Sequence, residues 1–120
     1  MGWSPNHGRI KERYNPKPNA AEARHETRMY DEPCFGCGRN CETLHHTMLH
    51  FAEKRWKRDH RYQLPLCKPC HVGRYGIHGI GCELAWLERV GKTQEEAVAY
   101  MLQAWAESEL IAKYEGRRYG

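Results

Sequence analysis

The chain has 120 residues and a net charge of +4 at pH 7, and hydrophobic residues make up 40% of it. That length allows one domain with a small margin of stability, so we expect a cross-link such as a bound metal ion to stabilise it. No apolar run approaches the ~20 residues that a membrane span needs, and the N-terminus lacks the apolar core of a secretory signal. We therefore expect a cytoplasmic protein with no membrane partner, whose closely spaced cysteines bind metal rather than form disulfides.

The first segment, residues 1–31, is predicted to be a basic N-terminal arm that is extended and partly disordered on its own. Prolines exclude a long helix before Asn19. A short helix could form over residues 20–30, although no clear apolar stripe marks it. The remainder, residues 32–120, is predicted to be one domain with a C-terminal helical extension. Three histidines are expected to lie on the surface: His7, His25 and His50.

Two Cys-x-x-Cys pairs, separated by 29 residues, are the strongest chemical signal. They are Cys34 with Cys37, and Cys67 with Cys70. Four thiolates on two tight turns form the closed tetrahedral shell of structural zinc, whereas four reduced, buried cysteines would leave the spacing unexplained. Gly36 and Gly38 suit the positive φ that such a turn often needs. Cys41 is a substitute ligand, and Cys82 is predicted to be a core thiol on a helix.

The elements around these pairs are predicted to be short. A strand over residues 43–50 is followed by a polar loop over residues 53–61 and a second strand over residues 62–66. A helix is expected to begin near Lys68 with Pro69 in its first turn, where proline is tolerated. The glycines that follow should keep this helix brief.

The C-terminal part is predicted to be helical. One helix spans residues 82–90, and Thr93 with Glu96 forms a capping box for the next helix. That helix should run to about Tyr114 and stop at Gly116. Its apolar residues mostly keep helical spacing and are interpreted as core packing: Ala97, Tyr100, Met101, Ala104, Trp105, Leu110 and Ile111.

A basic cluster in the polar loop favours contact with nucleic acid. The first 81 residues carry 14 basic and 8 acidic side chains, whereas residues 82–116 are acidic. A local basic cluster suits a polyanion better than a membrane surface; the alternative is a solvated charged loop. The predicted phosphate-binding residues are Lys54, Arg55, Lys57, Arg58 and Arg61.

The histidines suggest a second site. His45 and His46 are adjacent, and in a strand they point to opposite faces, so that one can face a metal and the other a substrate phosphate. His71 directly follows the second Cys pair, which fixes its position. His78 comes seven residues later, either two helical turns further along or on a loop that presents it.

The order of these motifs resembles the HNH endonucleases of the ββα-metal fold. It runs Cys-x-x-Cys, His-His, basic loop and Leu-Pro-Leu-Cys-x-x-Cys-His. The segment 76–81, followed by a helix that carries Trp86, is similar to small phage and prophage HNH proteins, including the recombination-enhancement nuclease type. The resemblance covers about residues 33–90. It implies an α+β fold, a small ββα-metal core with a four-cysteine zinc site.

The resemblance also implies roles for individual residues. His45 and His71 would be ligands of a catalytic metal, with His78 completing the site, and His46 would be the general base that activates water. The family's middle Asn has no counterpart here, and His60 or Asp59 lies at roughly its place.

The function implied is metal-dependent hydrolysis of phosphodiester bonds in DNA. The expected cofactors are structural Zn²⁺ and a catalytic divalent ion, either Mg²⁺, Mn²⁺, Ni²⁺ or Zn²⁺. DNA is the expected partner, and the resemblance adds a larger phage or recombination complex. Two alternatives remain open: a non-catalytic zinc-finger module that binds nucleic acid, and a zinc-stapled protein-interaction module that uses the acidic C-terminal helices.

Overall fold

The computed structural model describes residues 17–47 and 59–119. They form an α+β arrangement with one two-stranded antiparallel sheet. In chain order the elements are α1 (Ala20–Met29), β1 (Thr43–His46), β2 (Gln63–Leu66), α2 (Lys68–Val72), α3 (Ile77–Ile80), α4 (Glu83–Arg89) and α5 (Gln94–Tyr119). None of the described helices is long and apolar enough to cross a membrane. Six residues singled out from the sequence lie outside the described ranges: His7, His50, Lys54, Arg55, Lys57 and Arg58. Residues 1–16 of the predicted arm and residues 48–50 of the predicted first strand lie outside them as well.

Helix α1 is the short helix that residues 20–30 could form, so the interpretation of an extended arm was wrong for residues 20–29. The helix begins at a capping box, because Asn19 Oδ1 accepts a hydrogen bond from the Glu22 backbone N–H at 2.8 Å and Glu22 Oε1 accepts one from the Asn19 N–H at 2.9 Å. Such a box satisfies amides that a helix start leaves without partners. Met29, at the other end of the helix, is fully buried.

Polar contacts join α1 to α5. Arg28 Nε donates to Ser108 Oγ at 2.7 Å, and an Arg28 terminal nitrogen donates to the Ala104 carbonyl at 2.6 Å. His25 Nδ1 lies 2.6 Å from the same Ser108 Oγ, and its ring meets the Trp105 ring edge-on at 5.1 Å. His25 is only 1% exposed, so the expectation that it is a surface histidine was wrong.

The sheet pairs β1 with β2 so that His45 lies opposite Leu64 and His46 opposite Gln63. All of β2 is buried, and its Leu64 and Leu66 belong to the same core cluster as Trp86, Leu87 and Met101. The second strand therefore matches its prediction, and β1 is shorter than predicted, ending at His46.

Three short helices follow the sheet. Helix α2 begins at Lys68, has Pro69 in its first turn and is five residues long, which confirms the predicted brief helix. A Cβ on Gly76 would lie 2.6 Å from backbone atoms of Cys70, so a glycine lets α3 pack closely on α2. Cys82 precedes α4 and is exposed, so its prediction as a core thiol was wrong.

Helix α5 begins with the predicted capping box. Glu96 N–H donates to Thr93 Oγ1 at 3.1 Å, and Thr93 N–H donates to Glu96 Oε1 at 3.0 Å. The helix continues past Gly116 to Tyr119, so the predicted stop was wrong. Its exposed end also departs from the predicted core, because Leu110 is 67% exposed.

The core lies where β2 meets α4 and α5. Trp86 and Leu87 of α4 pack with Leu64, Leu66 and Met101, all of them almost completely buried. Each such side chain contributes about 1.5–3 kcal/mol through removal from water. The same cluster includes two of the four paired cysteines, Cys34 and Cys67, so the cysteine group is continuous with the core.

Candidate functional site

The two Cys-x-x-Cys pairs converge as predicted. The four sulfur atoms of Cys34, Cys37, Cys67 and Cys70 all lie within 4.8 Å of one another. The sulfurs of Cys37 and Cys67 are 3.5 Å apart. Zinc–sulfur bonds of about 2.3 Å in a tetrahedron would place sulfurs about 3.8 Å apart. The group could therefore hold a structural metal such as zinc, and it fits that ion with little movement.

The first pair lies on a tight turn that backbone hydrogen bonds close. Cys34 N–H donates to the Arg39 carbonyl at 2.7 Å, and Gly38 N–H donates to the Cys34 carbonyl at 2.9 Å. Gly38 has φ of +81°, as predicted. Gly36 does not have a positive φ; a Cβ there would lie only 2.6 Å from the Trp86 ring, so close packing requires this glycine.

The four thiols favour a cation. Burial raises the pKa of Cys34, but hydrogen bonds from the backbone of Cys67, Cys37 and Gly36 outweigh it and lower that pKa to about 7. Burial and the neighbouring thiols raise the pKa of Cys70 far above its ordinary value. A bound cation would compensate the negative charge that builds up when several of these neighbouring thiols ionise together.

The other two cysteines lie apart from this group. Cys41 Sγ is 3.2 Å from the Thr43 carbonyl and donates to it, so the structure does not bring Cys41 in as a substitute ligand. Cys82 is exposed. Neither belongs to a metal-binding group among the described residues.

Three predicted histidines form a second group at the junction of β1, α2 and α3. His45 Nδ1 lies 3.3 Å from His71 Nε2, and His78 Nε2 lies 3.0 Å from the same atom. Tetrahedral zinc–nitrogen bonds of about 2.0–2.1 Å would place ligand nitrogens about 3.3–3.4 Å apart. These three nitrogens could hold one ion and would leave a coordination position open.

The surroundings of His71 favour the neutral imidazole that metal ligation requires. Burial, together with the nearby rings of His45 and His78, lowers the pKa of His71 to about 4. On the far side of His45, Nε2 lies 3.3 Å from Glu83 Oε1. The other Glu83 oxygen accepts a hydrogen bond from the Thr47 hydroxyl. A carboxylate behind a ligand histidine is typical of metal centres, and the sequence analysis missed Glu83.

His46 faces a third group on the opposite side of β1. Its Nε2 lies 2.9 Å from His60 Nδ1, and this His60 atom lies 3.3 Å from Glu26 Oε1 on α1. His60 is buried, at 6% exposure. Of the two residues expected near the place of the family Asn, the structure therefore brings His60 to His46. Glu26 was also missed, because its segment was interpreted as an extended arm.

Asp59 forms an ion pair with Arg61 instead. Its two carboxylate oxygens accept hydrogen bonds from Arg61 Nε at 2.9 Å and from a terminal nitrogen at 2.6 Å. These bonds raise the pKa of the guanidinium further. Arg61 is the described member of the predicted phosphate-binding set, and its charge is partly balanced by this carboxylate.

The described residues thus combine a four-cysteine group, a three-histidine group and a Glu–His–His group around one short sheet. The first two groups share α2, since Cys70 and His71 are consecutive residues of that helix. The second and third groups share β1, through His45 and His46. No family model, curated protein or solved structure matches this chain.

Proposed function

We propose that this protein is a metal-dependent endonuclease of the HNH type that hydrolyses phosphodiester bonds in DNA. One observation carries the proposal: the neighbouring His45 and His46 belong to different polar clusters, one built from three imidazoles and the other from His46, His60 and a carboxylate. Histidines that were merely solvated would have no reason to converge in this way. A division of labour between metal binding and proton transfer explains both clusters.

The three-imidazole group is the proposed catalytic metal site. A divalent ion held by His45, His71 and His78 would stabilise the negative charge that develops on the phosphate and the leaving oxygen. Imidazole nitrogens suit Zn²⁺ and Ni²⁺, whereas Mg²⁺ prefers oxygen ligands. We therefore expect Zn²⁺ or Ni²⁺ to support activity better than Mg²⁺.

His46 is the proposed general base. An imidazole has an ordinary pKa close to neutrality, so it can take a proton from water at physiological pH. The contact with His60 fixes the orientation of the His46 ring. A general base needs a fixed orientation so that its nitrogen reaches the attacking water. His60 would thus do for His46 what the middle Asn does in the family.

The basic residues of the polar loop would hold the DNA backbone. Lys54, Arg55, Lys57 and Arg58 lie in the sequence between His46 and His60. The residues that flank this segment, Thr47 and Asp59, are neighbours in sequence of His46 and His60, which contact each other. Contacts of this kind bind phosphates and carry little sequence information.

The direct test is nicking of supercoiled plasmid by the purified protein. The protein is first treated with chelator and reloaded with one equivalent of zinc for the cysteines, and then Zn²⁺, Ni²⁺, Mn²⁺ or Mg²⁺ is added. We expect nicking with an added ion and none with the singly loaded protein. If the protein binds DNA but none of the four ions supports cleavage, the nuclease proposal is wrong and the non-catalytic zinc-finger module takes its place.

A further inference from the structure

An exposed tyrosine that contacts two arginines has no part in the roles proposed so far. The Arg89 guanidinium carbon lies 4.4 Å from the centroid of the Tyr75 ring, and that of Arg74 lies 5.5 Å from the same centroid. Tyr75 is 57% exposed, and both arginines are exposed as well. Burial in the core therefore does not explain why these three side chains converge.

We propose that Arg74 and Arg89 form a binding site for a phosphodiester group of the DNA backbone, and that Tyr75 positions the two guanidinium groups. The inference rests on the proposed nuclease function, because it adds a second DNA contact to that function. This site lies on the C-terminal side of β2 in the sequence, whereas the basic residues of the polar loop precede β2.

The charges of the two arginines favour an anion. Two guanidinium groups near one ring repel each other, and neither forms an ion pair with a carboxylate among the described residues. Arg28 and Arg61, in contrast, pair with carboxylates. A bound anion would supply the opposite charge that the protein itself does not place beside Arg74 and Arg89.

Contact with an aromatic ring leaves the hydrogen-bond donors of an arginine available. The negative face of the ring attracts the guanidinium group, whose N–H donors lie in its own plane and remain able to reach a ligand. Such a group can donate two parallel hydrogen bonds to one phosphate. The ring also restrains two long side chains before DNA arrives, so less conformational freedom is lost on binding.

The chain places this pair close to the proposed catalytic metal site. Arg74 and Tyr75 lie on the short connection between α2 and α3. Those helices carry His71 and His78, whose Nε2 atoms are 3.0 Å apart. Arg74 is three residues from one proposed ligand and four from the other. We therefore expect the backbone held by this pair to continue to the scissile phosphate at the metal.

Close packing fixes the connection between α2 and α3. Gly76 N–H donates to the Gly73 carbonyl at 2.9 Å, and Gly73 N–H donates to the Pro69 carbonyl at 3.2 Å. A Cβ on Gly73 would lie 2.5 Å from the Pro69 carbonyl oxygen, so a larger residue does not fit there without a shift. Arg74 and Tyr75 are thereby held on both sides, as a preorganised binding site requires.

Fluorescence anisotropy with duplex DNA tests the site. The protein carries zinc at the cysteines and no second ion, so that the DNA is not cut. We expect Arg74→Ala/Arg89→Ala to raise Kd about 10-fold, because charge-assisted hydrogen bonds are lost. The slope of log K against log salt concentration should fall by at least about 0.9, the value of one phosphate contact.

A control variant removes the same net charge elsewhere. Arg24 and Lys113 are exposed residues of α1 and α5, which carry none of the proposed metal ligands. We expect Arg24→Ala/Lys113→Ala to bind DNA as the parent protein does. An equal loss of affinity in this control would mean that net charge alone attracts DNA, and it would overturn the site.

Variants of Tyr75 test its positioning role. Tyr75→Leu removes the ring and should raise Kd about threefold, whereas Tyr75→Phe keeps the ring and should bind as the parent does. In the Arg74→Ala/Arg89→Ala background, Tyr75→Leu should cause no further loss. An equal loss in that background would mean that Tyr75 stacks on a base itself, and it would overturn the positioning role.

The site and the nuclease can fail separately, because binding is measured without cleavage. Parent-like affinity and salt slope in Arg74→Ala/Arg89→Ala would overturn the site and leave the nuclease intact. If the parent protein binds DNA but never cleaves it, the nuclease is wrong, and loss of affinity in this variant still supports the site. Circular dichroism should show that the variant is folded; an unfolded variant would mean that the arginines serve the fold, and it would overturn the site.

Discussion

His45 presents one ring nitrogen to His71 and the other to a carboxylate, since its Nε2 lies 3.3 Å from Glu83 Oε1. Glu83 begins α4, whereas the three histidines come from β1, α2 and α3. His45 Nε2 is buried and makes no hydrogen bond with another described residue in this structure. In a metal-bound state, a carboxylate that accepts this N–H would fix the ring and make its metal-facing nitrogen a better donor. The start of α4 thereby becomes part of the proposed catalytic centre.

We expect Glu83→Gln to weaken binding of the second metal ion about 10-fold to 100-fold, because the neutral amide holds the His45 ring less firmly. The first, cysteine-bound equivalent should stay. Titration of Ni²⁺ into the zinc-loaded protein measures both. Glu88→Gln is the matched control, since Glu88 is an exposed residue of the same helix. Equal affinities for parent and Glu83→Gln would refute this role.

Cys70→Ser removes one of four thiolates, and a structural zinc site contributes its binding free energy to folding. We expect a protein that is mostly unfolded or aggregated and has lost one zinc per molecule, measured by circular dichroism and metal analysis. Cys82→Ser should remain folded with full zinc, because Cys82 is exposed and outside the group. A folded Cys70→Ser protein with full metal content would contradict the four-cysteine site.

His46→Ala should remain folded, retain its zinc and still bind DNA, while cleavage falls at least ~10²-fold, as loss of a general base typically causes. His45→Ala should lose cleavage because the second metal binds less tightly, so excess metal should partly restore it. The two variants remove the same side chain from adjacent positions and are each other's control. Nicking by His46→Ala at the parent rate would show that the base is another group.

Replacement of Lys54, Arg55, Lys57 and Arg58 by Ala should weaken DNA binding with little dependence on DNA sequence. Each lost phosphate contact should lower the slope of log K against log salt concentration by about 0.9. Arg61→Ala should change the slope less, because Asp59 already pairs with Arg61. Fluorescence anisotropy at several salt concentrations measures the slope, and an unchanged slope in the fourfold variant would indicate a solvated loop.

Acid should loosen the contact between α1 and α5 through His25. Burial, and then the charge of Arg28, lowers the pKa of His25 from 6.5 to about 4. Below pH 6.5 the unfolded chain binds a proton that the folded protein does not, so the free energy of unfolding falls until about pH 4. The loss is at most about 1.4 kcal/mol per pH unit.

Urea unfolding of the parent and of His25→Gln, from pH 7.5 to 4.5, tests this dependence. Other acid-sensitive groups, the metal ligands included, are common to both proteins, so the difference between the two curves reports His25. We expect the parent to lose stability more steeply. If the stability of the two proteins depends on pH in the same way, His25 has the same pKa in the folded and unfolded states.

Local rules of sequence predicted the four-cysteine group, the separation of His45 from His46 and most of the short elements. The Cys-x-x-Cys spacing brought four sulfurs together, and strand alternation separated His45 from His46, because both depend on a few consecutive residues. The start of α2 followed from Pro69. These features could be predicted without knowing which residues pack against them.

The features that were missed depend on distant partners. The Asn19–Glu22 capping box indicates a helix start, but the buried face of α1 becomes apparent only against α5. Glu26 and Glu83 carry no local signal, because each meets its histidine through tertiary packing. The end of α5 ran past Gly116 because a single glycine costs a helix only about 1 kcal/mol.

On the proposal that the cysteines and the histidines each bind an ion, the adjacency of Cys70 and His71 on the five-residue helix α2 would make the order of metal loading matter. Once sulfur ligands fix that helix, the His71 imidazole is aimed before a second ion arrives; without them, the second ion must also organise the helix. Reconstitution should therefore be stepwise, with the cysteines filled first. Inhibition by a chelator would then not identify the ion that was removed, since removal of a sulfur-bound ion would disorder the neighbouring His71 imidazole as well.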